Sequence, residues 1–229
     1  MNSDAVTGFP KTGWRNRAAR LLLSLRQRPA PSPFLHYQTK TQLRLPFEGA
    51  WYVYWGGRSV GRNRHTITRD QRFAYDFLIL NHGRSHAAAG QQNEDYFCFG
   101  QPVVAPGPGT VVGAAHNLPD NTPGRMSPEQ PLGNHVILDH GNGEFSFLAH
   151  LRQSSVRVNL GDRVATGVLL GMCGNSGNSS EPHLHFHLQT SAILFHGDGL
   201  PAFFCHYIVN KTNVARGEPI AGQTIRHDA

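Results

Sequence analysis

The sequence predicts a mainly β protein, an antiparallel β-sheet domain with a groove walled by long loops, and three observations predict it. Glycine and proline are abundant, 25 and 15 in 229 residues, and favour turns. Apolar residues come in short runs divided by turn-formers, and no helical period of useful length appears after residue 43. Apolar content of 39% in a chain of this length is enough for a real core, most simply in one domain with extensions.

Taken in order, residues 1–42 read as a basic arm followed by a Pro-rich linker. Up to residue 30 the arm carries six cations against Asp4, or +5 of the chain's net +6, so the remainder is nearly neutral. Trp14, Ala18, Leu21, Leu22 and Leu25 follow helical spacing, which predicts a short basic helix. Its ordinary role is to pack on its own domain; the alternative is peripheral contact of residues 14–28 with an anionic membrane or polymer. The stretch 19–25 is a poor secretion signal, short and broken by Arg20. No run reaches the roughly 18 apolar residues of a membrane-spanning helix.

Pro29–Pro33 ends any preceding helix, and the folded domain is read as 43–215. Within it strands are expected at 51–55, 73–80, 102–105, 109–115, 135–139, 145–150, 163–164, 169–173 and 183–189. Gly141-Asn142-Gly143 reads as a hairpin turn, and the polar stretches 81–93 and 117–131 as long loops. Residues 216–229 read as a loosely attached tail. Cys98, Cys173 and Cys205 contain no CxxC pair, which argues against a cysteine zinc site, and sequence selects no disulfide among them.

The chemistry concentrates in Pro182-His183-Leu184-His185-Phe186-His187-Leu188. An extended strand turns alternate side chains to one face, so three imidazoles share a face and the leucines and Phe186 share the other. Imidazole is the commonest metal ligand and the usual acid or base near neutral pH, so this strand suggests a metallohydrolase. Asp76 interrupts the apolar run 73–80, where an unpaired anion would be costly. A metal would compensate it, and an ion pair to Arg69 or Arg72 is the ordinary alternative. His150 ends the apolar run 145–149. The glycine-rich loop 171–180 permits tight turns beside the histidine strand but lacks the lysine of a phosphate loop.

Gly161-Asp162-Arg163-Val164, Gly174-Asn175-Ser176-Gly177 and Pro182-His183-Leu184-His185-Phe186 together resemble the lysostaphin-type, or LytM-like, zinc metallopeptidases that cut bacterial cell-wall peptides. Phe147-Leu148-Ala149-His150-Leu151 resembles that family's catalytic-histidine segment, and Phe99–Pro106 its strand entry. The resemblance spans roughly residues 60–190. It implies Zn2+ held by His65, Asp76 and His185, with His150 and His183 as catalytic histidines and peptidoglycan cross-links or stem peptides as substrate. It also separates His183 from His185, which spacing alone leaves equivalent. His187 would orient a ligand or serve structure alone. The chain departs from the family where His65 and Asp76 stand apart, with 66–75 between them. His82 and His86 are therefore alternatives to His65, and Asp70 to Asp76.

The implied substrate places the protein in the periplasm or outside the cell, although no clear signal peptide is seen. Two rival functions are a non-catalytic LytM-like regulatory or wall-binding module and a zinc peptidase acting on a non-wall protein. Nucleic-acid binding is not expected, because no aromatic platform accompanies the basic arm.

Overall fold

The structure is a computed structural model describing residues 27–228; the expected basic helix at 14–28 lies almost wholly outside the described residues. Thirteen strands are described: β1 Trp51–Trp55, β2 Tyr75–Leu78, β3 Pro102–Val104, β4 Gly109–Ala115, β5 Asn134–Asp139, β6 Phe145–Leu151, β7 Arg163–Val164, β8 Leu169–Met172, β9 Leu184–Gln189, β10 Gly199–Leu200, β11 Phe204–Val209, β12 Thr212–Gly217 and β13 Thr224–His227. Among the described residues the only helices are two single-turn 3-10 segments, Arg64–Ile67 and Asn93–Asp95. The protein is thus mainly β, and no described helix is long and apolar enough to cross a membrane.

The main sheet runs β12-β11-β13-β1-β2-β9-β6-β5-β4-β7, with β10 added to β9, and β3 pairs with β8 in a separate ribbon. Every strand pairing in both sheets is antiparallel. The β5–β6 hairpin turns at Gly141-Asn142-Gly143, where both glycines take positive φ, 77° and 84°, a region open to them at little steric cost.

Strand alternation decides which face each residue takes. In the register of β2, β9 and β6, Tyr75 lies opposite Phe186, Asp76 opposite His185, and Ala149 opposite His185 from the other side. Tyr75, Phe77, Leu184, Phe186 and Leu148 therefore enter the main core, where Tyr75 stacks on Phe77 at 5.3 Å and Phe204 meets Phe186 at 5.4 Å. Asp76, His185 and His187 project from the opposite face, beside a smaller apolar cluster of Leu132, Ile137, Phe147 and Ala149.

The ends of the chain are more firmly attached than the sequence predicts. Glu144 is fully buried and accepts hydrogen bonds from Tyr37 Oη (2.9 Å), Lys40 N (2.6 Å) and both N and Oγ1 of Thr41 (2.9 and 2.5 Å), fastening the end of the 1–42 segment to β6. The tail expected from residue 216 is corrected as well: β13 inserts between β1 and β11 with Ile225 fully buried. One buried apolar residue in a four-residue strand gives too little alternation to read, whereas backbone pairing on both sides holds it.

Candidate metal centre and catalytic groove

Three elements deliver the cluster. Asp76 and His185 are direct cross-strand neighbours on β2 and β9, so their side chains meet on the site face. His65 arrives on the 3-10 turn Arg64–Ile67. Asn63 caps that turn through a 3.1 Å bond from His65 N, while its own amide donates to Gly57 O (3.0 Å) and Ala74 O (2.9 Å). The fully buried Asn63 thus ties the turn to the entry of β2, closing the sequence gap between His65 and Asp76.

His65 Nε2 lies 3.0 Å from Asp76 Oδ2, and His185 Nδ1 lies 2.9 Å from Asp76 Oδ1. Potential ligand atoms of the three residues all fall within 4.8 Å of one another, the one such grouping found among the described residues. The donor set, two imidazole nitrogens and a carboxylate oxygen around a buried anion, suits a zinc ion with three protein ligands. The sequence alternatives lie elsewhere. His82 is exposed; His86 Nδ1 donates to Ala88 O (2.8 Å); Asp70 accepts from Phe195 N (2.9 Å). The ordinary ion-pair explanation of Asp76 does not hold either, since Arg69 pairs with Asp198 (2.6 Å) and Arg72 Nη1 reaches Thr66 O (3.4 Å). Arg64 stands at 3.9 Å from Asp76 Oδ2.

His183 and His150 complete the arrangement, their rings 4.7 Å apart and the His150 ring 5.7 Å from that of His185. Simple alternation would send His150 to the core face, like Leu148. Instead β6 carries one extra residue between the pairs Asn134–Leu151 and Val136–Leu148, and His150 takes φ 63°, a bulge that turns its ring back toward the site. A non-glycine residue in the left-handed region is strained, and such strain is characteristic of functional sites.

Each of these histidines is locked by a backbone carbonyl. His150 Nδ1 donates to Ser176 O (2.9 Å), and His183 Nδ1 donates to Glu181 O (2.9 Å), with Ser179 Oγ at 3.1 Å. A carbonyl only accepts, so both Nδ1 atoms carry hydrogen, and in the neutral ring Nε2 keeps the lone pair. Ser176 is itself fixed, donating from Oγ to Leu151 O (2.7 Å) and accepting from Asn134 N (2.9 Å). Gly133 and Gly177 permit this approach, since a Cβ on either would lie 2.4 Å or less from the facing backbone, and both have positive φ.

Burial shapes the protonation pattern. It pushes His65 down to about 4, and it lowers His183, and His150 and His187 further, so these imidazoles rest neutral. Burial alone would raise Asp76, but His65 and His183, with hydrogen bonds from His185 and His65, hold its carboxyl well below the usual range. His187 Nδ1 lies 3.0 Å from His185 Nε2, and its ring stacks on Phe147 at 4.4 Å.

The cluster opens into a groove of about 490 Å³, bordered by Arg64, Met126, Leu132, Asn178 and Phe195. A separate cavity of about 900 Å³, lined in part by Arg44, His140, Cys205 and His227, is larger but gathers no metal-ligand set among the described residues. The one such grouping among the described residues therefore borders the smaller groove.

Residues 91–198 match the family model described as Peptidase family M23. That stretch, just under half of the chain, is similar to the M23 peptidases. His150, His183 and His185 fall inside the matched segment, while His65 and Asp76 lie upstream of it. The chain is similar to the peptidoglycan DD-endopeptidase ShyA of Vibrio cholerae serotype O1, 34% identical over 91 residues, which are 39% of this chain and 18% of that protein. It is also similar to an uncharacterized metalloprotease of Haemophilus influenzae, 30% identical over 146 residues, 60% of this chain and 27% of that one. The matched stretch spans less than a third of either relative's length. Among solved structures, the catalytic domain of lysostaphin from Staphylococcus simulans is 24% identical, with 66% of this chain and 88% of that chain covered and a TM-score of 0.38.

The sequence did not point to the supports of this site: Asn63, Asn134, and the carbonyls of Ser176 and Glu181. Carbonyl partners leave no side-chain signature, and a buried asparagine reads like any loop asparagine.

Proposed function

We propose that this protein is a zinc-dependent endopeptidase that hydrolyses peptide bonds in peptidoglycan cross-links or stem peptides, working in the periplasm or outside the cell. The observation that carries the reading is the convergence of His65, Asp76 and His185 on one point of the groove, beside two histidines whose Nδ1 atoms are held by carbonyls. The relative named a peptidoglycan DD-endopeptidase supports the substrate class.

His65, Asp76 and His185 would hold the zinc, His185 through the Nδ1 that faces Asp76. His187 Nδ1 would then accept from His185 Nε2–H and fix that ring's orientation. When bound, zinc supplies Lewis-acid polarisation of the scissile carbonyl and acidifies the attacking water. His183 Nε2 takes up the proton of that water, because Asp76 Oδ1 at 3.6 Å favours the imidazolium that results. The same Nε2–H later serves the leaving amine. His150, turned into the groove by its bulge, keeps its one hydrogen on Nδ1 and presents Nε2 as a second proton acceptor. Leu132, Met126 and Phe195 offer apolar walls for an extended peptide.

The test is digestion of purified peptidoglycan and of casein by the full chain, with and without a zinc chelator. Release of peptides from peptidoglycan, abolished by the chelator and restored by zinc, is the expected result. Cleavage of casein alone would move the substrate to non-wall proteins, and no cleavage by zinc-loaded protein would overturn the enzyme reading.

A further inference from the structure

Two of the three cysteines meet beneath the loops that fix the catalytic histidines. Cys98 and Cys173 are both fully buried in the main core. The turn 98–101 is clamped to the end of β8: Gln101 N donates to Cys98 O (3.1 Å), Gly100 N to Cys173 O (2.7 Å), and Cys173 N to Gln101 O (2.8 Å). These bonds extend the β3–β8 register, in which Pro102 faces Met172, by one residue pair. The Cys98 and Cys173 side chains hydrogen-bond to each other. Cys205 sits apart on β11, half-buried, opposite Arg216.

All three are free thiols in the structure. Two buried thiols in contact are inert in a reducing cytoplasm, whereas in an oxidising compartment such a pair is oxidised as the chain folds. We propose that Cys98 and Cys173 form an intrachain disulfide when the protein folds in an oxidising compartment, and that Cys205 remains a free thiol. The place of oxidation rests on the periplasmic or extracellular location proposed above; the choice of partners does not. Both S–H bonds are given up and one S–S bond forms. The two electrons and two protons pass to a disulfide-bearing thiol oxidant, which leaves as two thiols.

The bridge would staple the site from below. Cys173 directly precedes Gly174-Asn175-Ser176, whose Ser176 carbonyl holds His150, and Cys98 Sγ donates at 3.1 Å to Pro182 O, next to His183. Closing a loop of roughly 75 residues predicts a rise in Tm on the order of 10 °C over the reduced form.

The experiment counts thiols by alkylation and intact mass in the full chain, both as isolated from cells and after refolding with oxidised and reduced glutathione. One alkylated cysteine after refolding, with peptide mapping linking residues 98 and 173, is the expected result. Three alkylated cysteines in both samples, or a bridge that includes Cys205, would overturn the proposal. Three in the cellular sample but one after refolding would uphold the pairing and remove the oxidising location. Cys205→Ser should keep the reductant-sensitive Tm and Cys98→Ser should lose it. Should Cys98→Ser fail to fold, refolded Cys205→Ser with no alkylated cysteine carries the test alone, and two alkylated cysteines there would count against the bridge.

Discussion

The two faces of β2, β9 and β6 are equally buried and chemically opposite. On one, Tyr75, Phe77, Leu184 and Phe186 are no more than 1% exposed; on the other, Asp76, His185 and His187 are no more than 3% exposed. Apolar burial on the first face stabilises the sheet at roughly 1.5–3 kcal/mol for each large side chain. The second face removes a carboxylate and several imidazoles from water, which costs stability unless every charge and donor finds a partner. Successive residues of one strand thus divide the work, the even-numbered positions of β9 holding the fold and the odd-numbered ones forming the site. The comparison teaches that depth of burial alone does not distinguish core from centre; the partners of the buried atoms do.

The sharpest way to break this contrast is to change one face and read both properties. Asp76→Ala is expected to abolish zinc binding and lower peptide hydrolysis by about 1,000-fold or more, since the loss removes a transition-state contribution of several kcal/mol. The metal-free variant should also melt somewhat below metal-free wild type, because the buried His65 and His185 lose the carboxylate they bond. A fall as large as that of a core truncation would show that the site face also holds the fold.

Phe186→Ala attacks the other face. Truncating a fully buried phenylalanine should cost about 3–5 kcal/mol, measured by urea unfolding, while the folded fraction keeps its zinc. Ser176→Ala tests the link between them. Losing its bonds to Leu151 O and Asn134 N should cost about 1–3 kcal/mol of stability. By loosening the carbonyl that positions His150, it should lower kcat by about 10- to 100-fold with KM little changed. An equal loss in KM would instead mark Ser176 as part of peptide binding.

The smallest effect concerns Glu144, remote from both faces. Thr41, Lys40 and Tyr37 hydrogen bonds hold its carboxyl below the usual range against the opposing effect of burial. A depressed carboxylate contributes stability that is full above the unfolded value of about 4.3 and is lost as pH falls through the lower folded value. Wild type should therefore lose stability in that acid window, and Glu144→Gln should flatten this part of the Tm–pH curve. An unchanged acid limb in the variant would remove Glu144 from the account.

Much of the sheet was legible because alternation is a local signal: β1 through β9 lie close to the expected strands, and the meeting of Asp76 with His185 follows from placing both on one face of neighbouring strands. The loop 66–75 left His65 uncertain, since its delivery depends on a 3-10 turn and on Asn63, whose bonds to Gly57 and Ala74 no spacing reveals. The side taken by His150 was hidden in a bulge, where the rule of two fails by one residue. Strands β10 to β13 escaped because short or half-exposed strands carry little apolar pattern, their stability coming from backbone pairing with segments distant in sequence.

The central claim, that His65, Asp76 and His185 hold the metal while His150 and His183 handle chemistry, is tested most directly by zinc stoichiometry in purified wild type, His185→Ala and His150→Ala. The account predicts about one zinc per chain in wild type and in His150→Ala and almost none in His185→Ala. Full zinc in His185→Ala, or its loss in His150→Ala, would contradict it.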